Sequence, residues 1–337
     1  MKTTALAVLL ALGLSPALAA AAEVNVYSAR QEVLIRPLLD AFEAETGITV
    51  NIVSGKADAL ISRLRHEGRN TPADVLLTTD AGRLARAKGL GLLEPVRSAV
   101  LDAAIPAQYR DPDGAWFGLS MRARPIMYAK DRVRSAELST YAALADPKWR
   151  GRICVRSSNS IYNQSMLAAM IAETGAAATE AWAKGLVANF GRPPQGGDRD
   201  QIRAVAAGEC DLALANTYYL ARLVTSSKAS DREAASKVAV FWPNQDGRGA
   251  HVNISGAGVV RDAGNRAEAI RFIEFLAGPE AQKLYAEVVQ EYPVRAGVPW
   301  SPVVAAWGRF KADDLNLSLL GEYNAAAVRL ADRVGWR

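Results

Sequence analysis

The sequence predicts an α/β protein of two lobes, each built on a doubly wound mixed sheet with flanking helices. Three observations support this fold class. The chain has 337 residues, half of them hydrophobic, which is more than one simple domain needs. Residues 23–87 alternate β-rich and helical segments, and the same alternation restarts near residue 153. Strands that alternate with helices are typical of a sheet whose faces are covered by those helices.

The first lobe is predicted to begin with a short β-rich run, Glu23–Tyr27. Apolar residues at helical spacing predict a helix over Gln31–Thr46, which Gly47 ends. The other elements predicted here are strands at Ile48–Val53 and Ala73–Leu77 and helices at Ala57–Glu67 and Asp80–Ala87. Ligands bind beyond the carboxyl ends of the strands in such sheets, so we expect a site near loops 28–32, 54–56 and 78–80.

Two extended segments, Trp116–Leu119 and Arg124–Tyr128, are predicted to lead into the second lobe. Its predicted elements are strands at Ile153–Val155 and Leu212–Ala215 and helices at Ser160–Glu173, Glu180–Phe190, Ile202–Gly208 and Thr217–Thr225. Strands Val238–Phe241 and Gly256–Val260 are expected to return to the first lobe, before helices at Ala267–Ala277, Pro279–Val289 and Leu319–Val334. We therefore expect the first lobe to comprise residues 23–121 and about 245–296, and the second to comprise 122–244 and about 297–337.

Residues 1–22 have the features of a secretory signal peptide. Lys2 precedes the apolar run Ala5–Leu14, and Ala17-Leu18-Ala19 forms an A-x-A cleavage signal. The apolar run is too short to span a bilayer, and no later segment is long enough to do so. We expect a mature protein that is exported to the periplasm and does not span the membrane. The net charge of +5 is spread along the chain, which gives nucleic-acid binding little support but suits an anionic ligand, or a metal carried with an anion.

The chain contains two cysteines, Cys154 and Cys210. In an oxidising compartment an even pair of cysteines indicates a disulfide, and two unrelated buried thiols are the alternative. There is no C-x-x-C motif, so neither redox catalysis nor a zinc site built on thiolates is expected.

The adjacent tyrosines Tyr218 and Tyr219 are the most informative residues in the chain. Asn216 and Thr217 before them are favourable N-cap residues, which places both tyrosines in a first helical turn. A phenolate is a hard oxygen ligand, suited to a trivalent cation such as Fe(III). The pKa of a phenol is about 10, so it ionises at neutral pH only beside strong positive charge, such as a metal or a helix N-terminus. The alternative is that one ring packs inward and the other points outward.

A second segment has the same arrangement. A predicted strand that contains Cys154 leads into the loop Ser157–Ser160, rich in capping residues, and then to Tyr162 in a first helical turn. Cys154 precedes Tyr162 by the same number of residues as Cys210 precedes Tyr218. Unless this spacing is a coincidence, the disulfide ties together two strands whose ends carry the tyrosine loops.

Polar residues of the first lobe are expected near the same cleft. Glu32, beside Gln31 at a helix N-terminus, either supplies a carboxylate oxygen to a metal or complements the helix dipole. Asp80 fits best as a helix N-cap. Arg122 lies at the crossing between lobes, where an arginine can hold a small oxyanion. Arg222, one turn past the tyrosine pair, is either a charge behind the ligands or a solvated residue.

Signatures of enzymes are scarce. The chain has two histidines, His66 and His251, which gives little support to zinc sites or triads that depend on histidine. The motifs of serine hydrolases, zinc metalloproteases and P-loop proteins are absent from the sequence. Two alternatives to a metal-binding protein stay open. One is a binder of a small anion or organic solute, and the other is an exported hydrolase with Glu32 or Asp80 as its base.

Several segments form a pattern when they are taken in order along the chain. They are NVYSAR, PADVLLTTDAGRL, MRARPIMYAKDRV, YNQSMLAAMI, ANTYYLARL, SGAGVV and EYPV. In these segments the chain resembles the periplasmic ferric-ion-binding proteins of iron ABC transporters. Those proteins are type II periplasmic binding proteins with an iron site similar to that of transferrin. The resemblance extends over essentially the whole mature chain.

The resemblance implies that Tyr162, Tyr218 and Tyr219 are ligands of Fe(III). It also implies a synergistic anion such as carbonate at Arg122, with Ser158 as a further candidate contact for that anion. The family implies delivery of ferric iron to an inner-membrane ABC permease, without a catalytic step. We expect a monomer.

The chain departs from the family pattern in the first lobe. Many members carry a histidine ligand just after the opening tyrosine motif, where this chain has Gln31 and Glu32. A histidine-containing site is therefore not expected at that position, and Glu32 becomes a candidate ligand. At the position where some members use a glutamate, this chain has Thr79, followed by Asp80. Gln31, Asp80 and Arg222 are expected around the ligands rather than on the metal.

Overall fold

The structure, a computed structural model, describes residues 22–337. The signal peptide predicted for residues 1–22 therefore lies outside the described residues, apart from its last position. In the described part of the chain, no helix combines the length and the apolar character that crossing a membrane requires.

The described residues form nine strands, arranged in two sheets. The strands are β1 (Glu23–Ser28), β2 (Thr49–Ser54), β3 (Val75–Thr79), β4 (Phe117–Ala123), β5 (Ile126–Ala129), β6 (Ile153–Cys154), β7 (Leu212–Leu214), β8 (Val238–Phe241) and β9 (Val252–Val259). The first sheet has the order β2-β1-β3-β9-β4 and the second the order β6-β7-β5-β8. Each sheet mixes parallel and antiparallel pairs: β1 is parallel to β2 and β3, and β6 is parallel to β7, whereas β9 and β5 run antiparallel to their neighbours. The predicted fold class of two doubly wound mixed sheets is confirmed.

Helices pack around both sheets. They are α1 (Glu32–Thr46), α2 (Ala57–Glu67), α3 (Ala81–Gly89), α4 (Ala99–Ala104), α5 (Ile161–Thr174), α6 (Ala176–Ala188), α7 (Asp198–Ala207), α8 (Thr217–Val224), α9 (Ala229–Ser236), α10 (Arg266–Leu276), α11 (Pro279–Leu284), α12 (Pro302–Ala305), α13 (Leu319–Glu322) and α14 (Asn324–Arg333). A π-helical turn, Tyr285–Val289, follows α11. Strand β9 is buried along its whole length, as expected for a central strand with both faces covered.

The chain passes between the sheets where β4 leads to β5 and where β8 leads to β9. The two crossings are joined by backbone, since the amide of Arg124 donates to the carbonyl of His251 at 3.0 Å. Tyr141 joins them again, because its hydroxyl donates to the Arg124 carbonyl at 2.8 Å and accepts from the His251 amide at 3.0 Å. These contacts hold the two crossings together, and the crossings connect the two lobes.

One strand assignment from the sequence is wrong. Val238–Phe241 does not return to the first lobe but pairs antiparallel with β5 in the second sheet, and only β9 returns. Helix α9 packs against this short strand, and β5 supplies the backbone partners that its amides and carbonyls need. Helices α4, α9 and α12 were not predicted, and the predicted terminal helix is divided into α13 and α14 at Tyr323. The lobe boundaries stay a proposal. Strand β4 belongs to the first sheet and ends at Ala123.

Candidate metal centre

Two helices of the second lobe begin side by side at the candidate site. Strands β6 and β7 are parallel neighbours, with Ile153 opposite Leu212, so the loops that follow them leave from the same edge of the sheet. One loop leads into α5 and the other into α8, and the N-termini of both helices face the cleft. Tyr162 is the second residue of α5 and Tyr218 is the second residue of α8. The two tyrosines therefore occupy equivalent positions on two matching units.

Three phenol groups meet at this point. The hydroxyl oxygens of Tyr162 and Tyr218 lie 3.1 Å apart. The ring centroids of Tyr218 and Tyr219 are 4.2 Å apart, with the ring planes inclined at 34°. All three side chains line one cavity, so the two neighbouring rings of α8 do not diverge to opposite sides of the helix.

The tyrosines line a cavity of about 410 Å³ between the lobes. Ala29, Arg30, Gln31, Leu34 and Thr79 of the first lobe form the opposite wall. The charged residues that line it are Arg30, Arg156, Arg199, Arg203, Arg222, Asp198 and Asp200. Five arginines face two aspartates. Arg30 and Arg203 also pair with Glu291 and Asp231, and the positive charge that remains favours an anion in the cavity.

Burial makes two of the phenols harder to ionise when no cation is bound. It raises the pKa of Tyr218 well above its usual value, and the neighbouring phenols of Tyr162 and Tyr219 add to that rise. Burial, followed by the neighbouring Tyr162, also raises the pKa of Tyr219. Arg122 acts in the opposite direction and lowers the pKa of Tyr218. A cation that binds these oxygens as phenolates must therefore displace protons from them.

Two arginines lie against the ring of Tyr218. The guanidinium carbon of Arg222, which lines the cavity, lies 5.4 Å from the ring centroid. That of Arg122 lies 5.9 Å away, and its side chain is buried behind the ring rather than exposed in the cavity wall. Arg122 donates through Nη2 to Ser255 Oγ, and its Nε lies 3.7 Å from Oε1 of Glu291. Within residues 22–337, neither Nε nor Nη1 of Arg122 has a hydrogen-bond partner.

Asp198 anchors the start of the tyrosine helix α8. One of its carboxylate oxygens accepts from the backbone amide of Asn216 at 2.8 Å and from Arg124 at 2.9 Å. The other accepts from Arg156 at 3.2 Å, and the guanidinium carbon of Arg156 lies 5.5 Å from the ring centroid of Tyr162. Reasoning from the sequence missed Asp198 and Arg156. A lone aspartate at a helix start carries no sign of the distant groups that it binds.

Asp80 is an N-cap, as predicted, and it also links the two lobes. Its Oδ1 accepts from the Gly82 amide at 2.9 Å and from the hydroxyl of Ser165 at 2.7 Å. Its Oδ2 accepts from the side-chain amide of Asn253 at 2.9 Å. Ser165 belongs to α5 and lies one turn beyond Tyr162. Asp80 thus supports the Tyr162 helix from the first lobe, away from the cavity itself.

Of the remaining residues predicted for the site, one lines the cavity and two do not. Gln31 lines the cavity, but the carboxylate of Glu32 pairs with Arg36 in the next turn, with half of its side-chain surface exposed, and does not line the cavity. Ser158 is buried in the loop before α5, where its carbonyl accepts from Gln164 at 3.0 Å, and it does not line the cavity either. The structure therefore brings Gln31, but not Glu32 or Ser158, to the tyrosines.

Comparison with known proteins places this site in a family. Residues 38–312 match the family described as "Bacterial extracellular solute-binding protein". The chain belongs to this family. The solute-binding protein is 51% identical to "Iron uptake protein A1" of Synechocystis sp. over 315 residues, which are 94% of this chain and 88% of that protein. The resemblance stated from the sequence is confirmed.

Solved structures of relatives share the whole fold of this solute-binding protein. A Trichodesmium protein described as "in complex with iron and citrate ligands" matches with a TM-score of 0.92 and 53% identity, covering 94% of this chain and 100% of that chain. The "Ferric binding protein from Campylobacter jejuni" matches with a TM-score of 0.88 and 41% identity, covering 93% and 100% of the two chains. The solute-binding protein therefore has the two-lobed, type II periplasmic binding fold, as predicted.

The predicted disulfide between Cys154 and Cys210 of the solute-binding protein is confirmed. The two Cα atoms lie 5.7 Å apart. Cys154 is the last residue of β6, and Cys210 lies just before β7. The bond therefore ties the end of β6, whose following loop carries Tyr162, to the segment that leads into β7, whose following loop carries Tyr218.

Proposed function

We propose that this solute-binding protein captures Fe(III) in the cavity between its lobes, with Tyr162, Tyr218 and Tyr219 as ligands. The observation that carries the proposal is the meeting of three phenol groups at the N-termini of α5 and α8. Phenolates are hard anionic ligands, and three of them balance the charge of a trivalent cation. Two helix N-termini further favour the anionic form of the bound oxygens.

A small oxyanion binds together with the iron in this proposal. The five arginines of the cavity supply more positive charge than its two aspartates balance, which supports an anion beside the metal. The sequence resemblance points to carbonate, whereas the Trichodesmium relative is described with citrate. Arg222 lines the wall and is the candidate for direct contact, whereas Arg30 lines the wall with its Nη atoms bound to Glu291 and Ser255. Arg122 contributes its charge from behind Tyr218.

Delivery to an inner-membrane ABC permease completes the proposed role. Relatives of the chain are named for iron uptake and ferric binding, which are transport functions rather than enzyme activities. Closure of the two lobes about their crossings would enclose the metal, and opening would release it at the permease. We place the mature protein in the periplasm and propose that it acts as a monomer.

Iron loading of a double variant tests the proposed ligands. The iron-free protein is incubated with ferric citrate and bicarbonate and then desalted, and its iron content and visible absorption are measured. Wild type is expected to retain iron and to show a charge-transfer band from phenolate to Fe(III). Tyr218→Phe/Tyr219→Phe keeps both rings but removes two ligand oxygens, so it should lose the band and at least about a hundredfold in affinity.

Tyr128→Phe is the matched control, because Tyr128 lies on β5 and does not line the cavity. This variant should bind iron as wild type does. Retention of iron and colour by the double variant would show that these tyrosines are not the ligands.

The arginine-rich wall supports a second candidate function, which is binding of a small organic anion without a metal. The two functions differ in whether anion binding depends on iron. A metal-binding protein retains iron after desalting and binds the anion more tightly with iron present. An anion binder has the same affinity for citrate with and without iron, and carries no iron after desalting.

A further inference from the structure

A buried carboxylate, that of Glu291, lies between two arginines behind the tyrosine cluster. Glu291 is fully buried, and its two oxygens accept from Nη1 and Nη2 of Arg30 at 2.9 and 3.2 Å. Ser120 and Ser255 also donate to the carboxylate. Arg122 approaches from the other side, with its Nε 3.7 Å from Oε1. The Glu291 carboxylate therefore binds Arg30 and one serine from each of the neighbouring strands β4 and β9.

The charges of this cluster do not balance. Two guanidinium groups share one carboxylate, and the surplus positive charge lies against the ring of Tyr218. Both arginines are at least nine-tenths buried, so solvent screens this charge weakly. The neighbouring arginines lower the pKa of Glu291 to about 2, so its carboxylate is ionised at neutral pH. The cluster thus carries one net positive charge when the protein is folded.

The two arginines use their donors differently. Arg30 lines the cavity and spends its donors on Glu291 and Ser255. Arg122 donates to Ser255 through Nη2, but its Nη1 and Nε have no hydrogen-bond partner within the described residues. A cation that is buried with free donors is stabilised by any negative charge that arrives nearby. Glu291 neutralises one arginine and leaves the charge of the other available to the site.

We propose that Glu291 is a positioning residue that sets the positive charge behind the tyrosines, and so sets how tightly the cavity holds an anion. It holds Arg30 against the cavity wall and cancels one of the two buried arginine charges. A residue that served only to hold the fold together would not need a net charge at this position. The inference rests on the proposed function, because the anion is the partner of the captured cation.

Four variants separate charge from support. Glu291→Gln keeps the shape of the side chain and raises the cluster charge by one, and the hydroxyl of Ser120 can turn to accept from the new amide. Arg30→Gln lowers the charge by one, and Arg30→Gln/Glu291→Gln restores the wild-type value. Ser120→Ala removes one hydrogen bond to Glu291 without any change in charge. Citrate binding to each iron-free protein is measured by calorimetry at low ionic strength.

The affinity for citrate should follow the charge. Glu291→Gln should bind citrate about tenfold more tightly than wild type, which is roughly the effect of one unit charge at 10 Å in a protein interior. Arg30→Gln should bind at least about tenfold more weakly, and the double variant should bind more tightly than Arg30→Gln alone. Ser120→Ala should differ from wild type by less than about threefold.

Other results would overturn the inference. It fails if Glu291→Gln binds citrate no more tightly than wild type, if the double variant binds no better than Arg30→Gln, or if wild type binds no citrate. Should Glu291→Gln not fold, the comparison of Arg30→Gln with the double variant still decides. Iron loading of wild type is measured separately. A protein whose citrate affinity follows the charge order but which takes up no iron would refute the proposed function and leave this inference standing.

Discussion

Removal of the disulfide should cost stability and leave iron binding almost intact. Cys154 and Cys210 are separated by 56 residues in the sequence, so their bond closes a long loop in the unfolded chain. On the chain-entropy model a loop of this length corresponds to about 4 kcal/mol of stability. Cys154→Ala/Cys210→Ala should therefore lower the free energy of unfolding by about 4 kcal/mol at most.

The metal centre should tolerate the loss of the disulfide because the sheet already sets the spacing of the tyrosine helices. Strands β6 and β7 are paired in register, with Ile153 opposite Leu212 and Cys154 opposite Ala213. The disulfide joins the last residue of β6 to a residue that precedes β7, so it adjoins the loop to α5 but lies at the opposite end of β7 from the loop to α8. Iron affinity of the double variant should therefore stay within about threefold of wild type.

Urea unfolding of the iron-free protein, followed by circular dichroism, measures the loss in free energy of unfolding. Competition with citrate for Fe(III) measures the iron affinity, under conditions where wild type and the double variant are both fully folded. Wild type treated with a reductant is a matched control, because it should reproduce the double variant. A folded variant that lost more than about tenfold in iron affinity would show that the disulfide, rather than the β6–β7 pairing, holds the ligands in place.

Two further predictions concern protons and buried charge. Burial raises the pKa of Tyr218 and Tyr219 in the iron-free protein, so iron binding should release about two protons from these phenols, and affinity should fall as the pH is lowered. An absence of acidification in weakly buffered solution during iron titration would contradict this. Arg124→Met should cost about 3–5 kcal/mol in urea unfolding, because it removes the buried partner of Asp198. Arg156→Met, which removes the partly exposed partner of Asp198, should cost clearly less.

The ligand helices could be predicted from the sequence because their signals are local. A short apolar strand, residues typical of N-caps and a tyrosine follow one another within a few positions. This order predicts a tyrosine at each helix N-terminus, although neither Ser160 nor Asn216 makes a side-chain capping hydrogen bond. The same reasoning applied to Glu32 gave two interpretations, and the sequence could not decide between them. In the structure the Glu32 carboxylate forms an ion pair with Arg36, one turn along α1, and does not reach the cavity. A partner at helical spacing competes with any site across the cleft.

The charge behind the tyrosines could not be predicted in this way. Arg30 and Glu291 are 261 residues apart, and the serine that each of them contacts lies on β9. Arg30 ends the segment NVYSAR and Glu291 begins the segment EYPV, but neither segment indicates that these two side chains meet. Local motifs thus specify which atoms bind the metal, whereas long-range packing specifies the charge that those atoms experience. Two chains with the same tyrosine motifs can therefore differ in the anion that they hold, and the buried arginines and Glu291 are where such a difference should be sought.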